Sequence, residues 1–116
     1  MKAESWHQVK LFAHCAEMAH SDSRYGNIFA IPMGGRRDKI TGARMKAEGA
    51  RAGVPDIFVA VPAHGKAGLF IEMKVEGGRL SKKQEEWRER LQGQNYGYVV
   101  CYCYEDAVGV LKQYFA

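Results

Sequence analysis

The feature that most constrains the fold of this chain is a pair of apolar segments joined by a short link. Each segment is typical of a β-strand that is covered on both faces. Residues 54–61 are almost wholly apolar apart from Asp56, and residues 69–75 are apolar apart from Glu72 and Lys74. The link over residues 62–67 is short and rich in turn-forming residues, which favours a β-hairpin. The sequence therefore predicts two adjacent antiparallel strands within a sheet.

Helices are predicted around this hairpin from apolar residues that recur at intervals of three and four. Three such segments lie outside the hairpin, over residues 2–20, 81–93 and 105–115. A further helix is predicted over residues 43–52, with Gly53 ending it.

Two more strands are predicted from short runs of β-forming residues, over residues 27–33 and 96–102. The resulting order is α-β-(α)-β-β-α-β-α, which indicates a layered α/β or α+β domain. At 116 residues the chain suits one domain, and we expect a single domain over residues 1–116.

The three charged residues of the hairpin are the candidate functional residues. A polar side chain on a buried strand is costly unless it is paired or holds a metal. Glu72 and Lys74 are two residues apart, so both point to one face of their strand. If the hairpin is symmetric about residues 64–65, Asp56 lies opposite Met73, within about one residue of both. The pattern predicts that the carboxylates of Asp56 and Glu72 and the ammonium of Lys74 lie close together on the hairpin.

This set of side chains suits phosphodiester hydrolysis with a bound metal. Two clustered carboxylates repel each other, and a divalent cation relieves the repulsion. Oxygen ligands favour Mg²⁺ or Mn²⁺ over zinc. A neighbouring ammonium can stabilise developing negative charge or lower the pKa of a metal-bound water.

The same residues carry a resemblance to a known family. The motif Pro55-Asp56 followed by Glu72-Met73-Lys74 resembles the P-D…(D/E)-x-K signature of the restriction-endonuclease-like nucleases, and the fuller pattern resembles their virus-type replication-repair nuclease (VRR-NUC) branch. The other matching pieces follow in order along the chain: Glu4-x-x-x-Gln8, Gly34-Gly35-Arg36-Arg37, Gly53-x-Pro55-Asp56, Gly78-x-Leu80-Ser81-x-x-Gln84 and Gly97-Tyr98-Val99-Val100 before Glu105-Asp106-Ala107.

The resemblance implies a role for each matching residue. It implies that the metal ligands are Asp56, Glu72, the backbone carbonyl of Met73 and, directly or through water, Glu4. Lys74 would position or activate the attacking water, and Gln84 would support the site from the helix after the third strand. The implied cofactor is Mg²⁺ or Mn²⁺.

The resemblance also implies a fold and a substrate. The fold would be a restriction-endonuclease-like core, an α/β architecture with a mixed central β-sheet flanked by helices. Small stand-alone members of the family resemble homodimers that cut branched DNA such as Holliday junctions. We therefore expect a metal-dependent DNA endonuclease of DNA repair type that acts as a homodimer.

The net charge of the chain lies in one segment. Residues 36–51 hold six basic residues and two acidic ones, Asp38 and Glu48. The net charge of this segment, +4, equals that of the whole chain. The basic residues are Arg36, Arg37, Lys39, Arg44, Lys46 and Arg51. Such a concentration favours a polyanionic partner, so we expect these residues, with Ser81, to contact DNA.

Simpler interpretations stay open for several of these residues. Charged residues near strand ends are often solvated, and Glu4 is also suited to the N-terminal end of a helix dipole. Gln84 and Ser81 can form a helix cap alone, and basic surface residues are commonly just hydrated. The alternative functions are a flap-, nick-, end- or duplex-directed nuclease and a catalytically silent DNA-binding module.

The remaining features of the sequence concern the cellular compartment. The three cysteines are too few and too irregularly placed for a disulfide framework, and they suit a reducing cytosol. No secretory signal and no segment of about 20 apolar residues is recognisable, so we expect a cytoplasmic protein without a membrane partner.

Overall fold

The computed structural model describes residues 3–32 and 39–116 of the chain. The elements run α1 (Ala3–Met18), a 3-10 helix (Ser23–Asn27), β1 (Ile28–Ala30), α2 (Lys39–Ala47), β2 (Ile57–Val59), β3 (Leu69–Met73), α3 (Lys82–Gly93), β4 (Gly97–Cys101) and α4 (Tyr104–Tyr114). Apart from the 3-10 helix, this is the predicted order.

The four strands form one mixed sheet in the order β1-β2-β3-β4. Strands β1, β2 and β3 are successively antiparallel, whereas β3 and β4 are parallel. A parallel pair needs a crossover connection, and α3 supplies it. The mixed α/β fold with flanking helices is therefore confirmed.

The register of the hairpin differs by one residue from the prediction. Its tip is symmetric about residues 64–65, as expected, because Ala63 pairs with Lys66. Within the strands, however, Ile57 pairs with Ile71, so the next position brings Asp56 opposite Glu72 rather than Met73. The cause is one extra residue on the β2 side, where three residues separate the strand from the tip bridge and β3 has two.

One face of the sheet forms the core. The fully buried side chains of Ile57, Val59 and Ile71 pack with residues from α1 and α4, including Leu11 and Leu111. Completely burying an aliphatic side chain of this size contributes about 1.5–3 kcal/mol. The alternation along β2 and β3 then forces Asp56 and Glu72 onto the opposite face.

Helix α2 lies earlier in the chain than the predicted 43–52. It ends at Ala47 because Gly49, with a φ of +108°, takes the left-handed conformation that terminates helices. The amide of Ala50 donates to the Met45 carbonyl and that of Gly49 to the Lys46 carbonyl, which is the Schellman pattern. The stop is thus Gly49 and not Gly53.

Gly53 has another role, which is to let the loop before β2 approach helix α3. Its φ is +87°, and a Cβ there would lie 2.8 Å from the backbone carbon of Lys83. Only glycine fits this close contact. The loop that carries Asp56 is therefore packed directly against the first turn of α3.

The described segments also give the state of the cysteines and the lengths of the helices. Cys15 and Cys101 are buried and Cys103 is half-buried, all three as free thiols. Within residues 3–32 and 39–116, none of the helices has the length and hydropathy needed to span a bilayer.

Candidate active site

Asp56 and Glu72 meet on the face of the sheet opposite the core. The backbone amide of Met73 donates to Asp56 Oδ2 at 2.8 Å, which fixes the Asp56 carboxylate beside β3. Glu72 is only 3% exposed, although it carries a carboxyl group. The sequence prediction that two carboxylates converge at the hairpin base agrees with this geometry.

The environment of Glu72 disfavours its charged form. Burial is the largest cause that raises the pKa of Glu72 from its ordinary 4.5 to about 9. The charge of Asp56, and its place as an acceptor for the Glu72 proton, raise that pKa further. Lys74 lowers the pKa of Glu72, and the charge of Glu4 is the smallest of the causes that raise it.

Gln84 joins the start of α3 to this carboxyl group. Its side-chain Nε2 donates to Glu72 Oε2 at 3.2 Å, while its Oε1 accepts from the Ser81 amide at 2.8 Å. The Ser81 hydroxyl in turn accepts from the Gln84 amide, completing a capping box. The capping interpretation of the sequence is therefore correct, and the same side-chain amide also reaches Glu72, while its role in the site stays a prediction.

Lys74 and Glu4 approach the carboxylates from two different elements. The Lys74 amide donates to the Cys101 carbonyl at 2.9 Å, which holds the residue beside β4 just after β3 ends. Its half-buried ammonium lies within electrostatic range of Glu72. Glu4 stands exposed in the first turn of α1, within electrostatic range of the same carboxyl.

The donor set fits a hard divalent cation. Glu72 Oε1 is buried and accepts no hydrogen bond from any described residue. A buried carboxylate oxygen in this state is costly, and a cation is a natural partner for it. In the described part of the chain, no three acidic, histidine or cysteine side chains are grouped as a metal site, so Glu4 does not complete one with Asp56 and Glu72.

Comparison with known proteins identifies the family. The model of the VRR-NUC domain matches residues 2–104, which is most of the chain. This chain belongs to the VRR-NUC domain family. A solved structure of a VRR_NUC domain protein has the same fold, with a TM-score of 0.82 at 23% sequence identity over 98% of this chain and 88% of that one. No curated protein matches the sequence.

Membership makes this a nuclease-type domain and confirms the family resemblance seen in the sequence. At 23% identity, the solved structure supports the fold alone. In the VRR-NUC chain described here, that fold brings the hairpin carboxylates, Lys74 and Gln84 to one place on the sheet.

The basic residues of this VRR-NUC chain are only partly described. Arg36 and Arg37 lie outside the described residues, and the side chain of Lys39 is likewise outside the description. Arg44 is exposed and makes a 3.8 Å ion pair with Glu48. Lys46 and Arg51 are also exposed.

A cationic cavity of about 460 Å³ lies between α2 and α3. Its lining includes the predicted DNA-binding residues Lys46 and Arg51 together with Lys83 and Arg90 of α3. Trp87 forms part of the wall; its indole N–H donates to the Ala52 carbonyl at 3.0 Å.

Two residues to which the sequence pattern gives no role lie close to the VRR-NUC site. Arg88 lies one helical turn after Gln84, so both side chains occupy the same face of α3. Tyr98 of β4 lies within electrostatic range of Glu72, Asp56 and Arg88. The four-residue spacing from Gln84 is a signal that identifies Arg88. Tyr98 lies in the family-like piece Gly97-Tyr98-Val99-Val100, which by itself does not distinguish it from other aromatic residues of a strand.

Proposed function

We propose that this VRR-NUC chain is a metal-dependent DNA endonuclease that hydrolyses phosphodiester bonds. The observation that carries the proposal is the buried Glu72 carboxyl group beside the half-buried Asp56 carboxylate at the base of the hairpin, with no described residue hydrogen-bonded to Glu72 Oε1. A fold stabilised by its apolar core does not need such a pair. Two acidic groups held together at this cost are typical of a cation site.

Each side chain of the site has a task in this proposal. Asp56 and Glu72 would hold Mg²⁺ or Mn²⁺, with the Met73 carbonyl as a further oxygen donor. When bound, the cation would polarise the phosphate and lower the pKa of a coordinated water. Gln84 would keep the Glu72 carboxylate oriented through its 3.2 Å hydrogen bond.

Lys74 would contribute a positive charge at the reacting phosphate. Its ammonium lies within electrostatic range of Glu72. There it can orient the attacking water and stabilise the extra negative charge of the transition state. Glu4 is the proposed outer ligand, acting through water from the first turn of α1.

Branched DNA is the substrate that we propose, with a homodimer as the acting species. The basic residues of the 36–51 segment and the cationic cavity between α2 and α3 offer positive charge for contacts with DNA phosphates. Two copies related by a two-fold axis would suit two cuts on a pseudo-symmetric four-way junction. Sedimentation of the protein with and without a junction measures the proposed stoichiometry.

The test of this function is cleavage by wild type and by Lys74→Ala. Labelled four-way junction, flap, nicked and linear duplex DNAs are incubated with Mg²⁺ or Mn²⁺, or with chelator. We expect cleavage that needs the metal, with the junction cut fastest. Lys74→Ala should lower the rate at least about a hundredfold and retain DNA binding.

The exposed lysine at the hairpin tip provides a matched control, because Lys66→Ala removes the same charge from a neighbouring place outside the site. Equal cleavage by Lys74→Ala and wild type contradicts the mechanism. Binding of DNA by wild type without any cleavage favours the silent DNA-binding module. If a flap, nicked or linear duplex DNA is cut faster than the junction, that DNA is the substrate instead of the junction.

A further inference from the structure

Two buried side-chain oxygens in the described part of the chain have no hydrogen-bond partner, and both belong to one neighbourhood. They are Glu72 Oε1 and the hydroxyl of Tyr98. A buried hydroxyl without a hydrogen-bond partner lowers the stability of the folded protein. Proteins retain such groups mainly where a missing ligand or a function uses them.

The sheet register explains why these oxygens are neighbours. Tyr98 of β4 pairs with Phe70 of β3, two residues before Glu72 on the same face. Tyr98 and Glu72 are therefore diagonal neighbours on adjacent strands. Aromatic and long side chains can reach across this separation.

The electrostatic surroundings of Tyr98 place its hydroxyl in the same group. Burial raises the pKa of Tyr98, and the charges of Glu72 and Asp56 raise it further while Arg88 lowers it. A phenol keeps its proton at neutral pH, so Tyr98 is a hydrogen-bond donor. The described acceptor that is buried nearby and still free is Glu72 Oε1.

We propose that Tyr98 is a positioning residue of the active site, whose phenol O–H donates to the Glu72 carboxylate through one bridging water and holds it for a divalent cation. The inference rests on the proposed nuclease function. Gln84 already donates to Glu72 Oε2, so Tyr98 supplies the second fixed point on the other oxygen. A carboxylate oxygen has two lone pairs, so Oε1 can accept this hydrogen bond and still bind a cation.

The substitution Tyr98→Phe tests the proposal, because it removes one oxygen and keeps the ring. Mn²⁺ affinity is measured by calorimetry without DNA, and thermal unfolding is measured without metal. We expect Mn²⁺ to bind about tenfold more weakly, since outer partners of metal ligands have effects of this size. The metal-free variant should melt no lower than wild type, because the lost hydroxyl has no partner there.

Cleavage kinetics add a second measurement. We expect kcat to fall by about tenfold, while KM and the affinity for DNA in chelator stay unchanged. This split separates an effect on the carboxylate from a loss of DNA contacts.

Tyr114→Phe is the matched control, since the Tyr114 hydroxyl donates to the Val61 carbonyl at 2.6 Å, away from the site. It should lower the melting temperature and leave Mn²⁺ affinity unchanged. Mn²⁺ affinity and kcat equal to wild type in Tyr98→Phe would overturn the inference. A lowered melting temperature with unchanged Mn²⁺ affinity would also overturn it, because the hydroxyl would then be structural.

The outcome for wild type separates this inference from the proposed function. If wild type binds Mn²⁺ and cleaves DNA but Tyr98→Phe does so equally well, the inference alone fails. If wild type neither binds Mn²⁺ nor cleaves DNA, the proposed function fails and takes the inference with it.

Discussion

Gln84 illustrates how one side chain serves folding and the site together. Its carbonyl oxygen caps α3, and its amide nitrogen reaches Glu72. The two tasks use opposite ends of one planar group, so they can be separated by changing only the nitrogen. The residue therefore permits an unusually direct test of what the hydrogen bond to Glu72 does.

Gln84→Glu keeps an oxygen for the Ser81 amide but replaces the N–H donor with a negative charge. We expect the helix cap to survive, with a melting temperature close to that of wild type. Cleavage should fall at least about tenfold, because Glu72 loses its donor and gains a repelling neighbour. Gln92→Glu, the same change at an exposed position of α3, should cleave like wild type.

The buried carboxyl of Glu72 predicts a pH dependence of stability. Its pKa is raised from 4.5 to about 9 by burial first and by Asp56 second. Between these values the folded protein retains a proton that the unfolded chain has lost. The free energy of unfolding of the metal-free protein should therefore fall as the pH rises through this window.

Thermal unfolding between pH 5 and pH 9 measures this slope, and Glu72→Gln should flatten it. Mn²⁺ should raise the melting temperature more at pH 8 than at pH 6, because metal binding needs the ionised carboxyl. A slope that is identical in wild type and Glu72→Gln would assign the pH dependence to other groups.

At the scale of the elements, the sequence predicted the order of helices and strands and the convergence of the hairpin charges. Periodicity was sufficient because the apolar residues of each element face one core. The register was predicted one residue away from its observed position. The extra residue between β2 and the tip leaves no mark in the apolar pattern, because a bulge depends on backbone geometry rather than on composition.

The end of α2 was misplaced for a related reason. The segment contains glycines at two positions that can each end a helix, Gly49 and Gly53. Local propensity does not distinguish them. The choice depends on tertiary contact, since the backbone at Gly53 is occupied in packing against Lys83.

That contact gives a prediction at the same scale. Gly53→Ala should destabilise the protein by about 1–3 kcal/mol, because the new Cβ meets the α3 backbone at 2.8 Å and the φ of +87° strains any side chain. It should also weaken cleavage by displacing Gln84. Chemical denaturation measures the first effect and the nuclease assay the second.

Gly109→Ala is the control, for which we expect a change in stability of the opposite sign. Position 109 lies exposed within α4, and a Cβ there meets no described atom within 4 Å. Alanine should raise the stability by up to about 1 kcal/mol through helix propensity. A Gly53→Ala variant as stable as wild type would show that the loop has room to move.

Across the whole molecule, the net charge and the apolar core occupy different places. The core lies between the sheet and the α1–α4 pair, whereas the net positive charge belongs to the 36–51 segment of the sequence, whose described part includes α2. An asymmetry of this kind favours one orientation of a polyanion on the protein.

The double variant Lys46→Ala, Arg51→Ala tests that orientation through the salt dependence of binding. The slope of log affinity against log salt should become shallower by about 1–2, as each phosphate contact contributes roughly 0.9. Lys112→Ala, on α4, should leave the slope unchanged. Equal slopes in all three proteins would remove the α2 surface from the DNA contact.

The extra residue on the β2 side of the hairpin restricts which segments of related domains can be exchanged with this one. If one residue is deleted from the 60–62 segment, the strand register set by the hairpin tip no longer agrees with the register that buries the apolar side chains. Either Ile57 and Val59 would rotate out of the interior, carrying Asp56 inward, or the tip would have to be rebuilt away from its contact with α4. Chimeras that conserve every site residue but change this count by one should therefore be inactive.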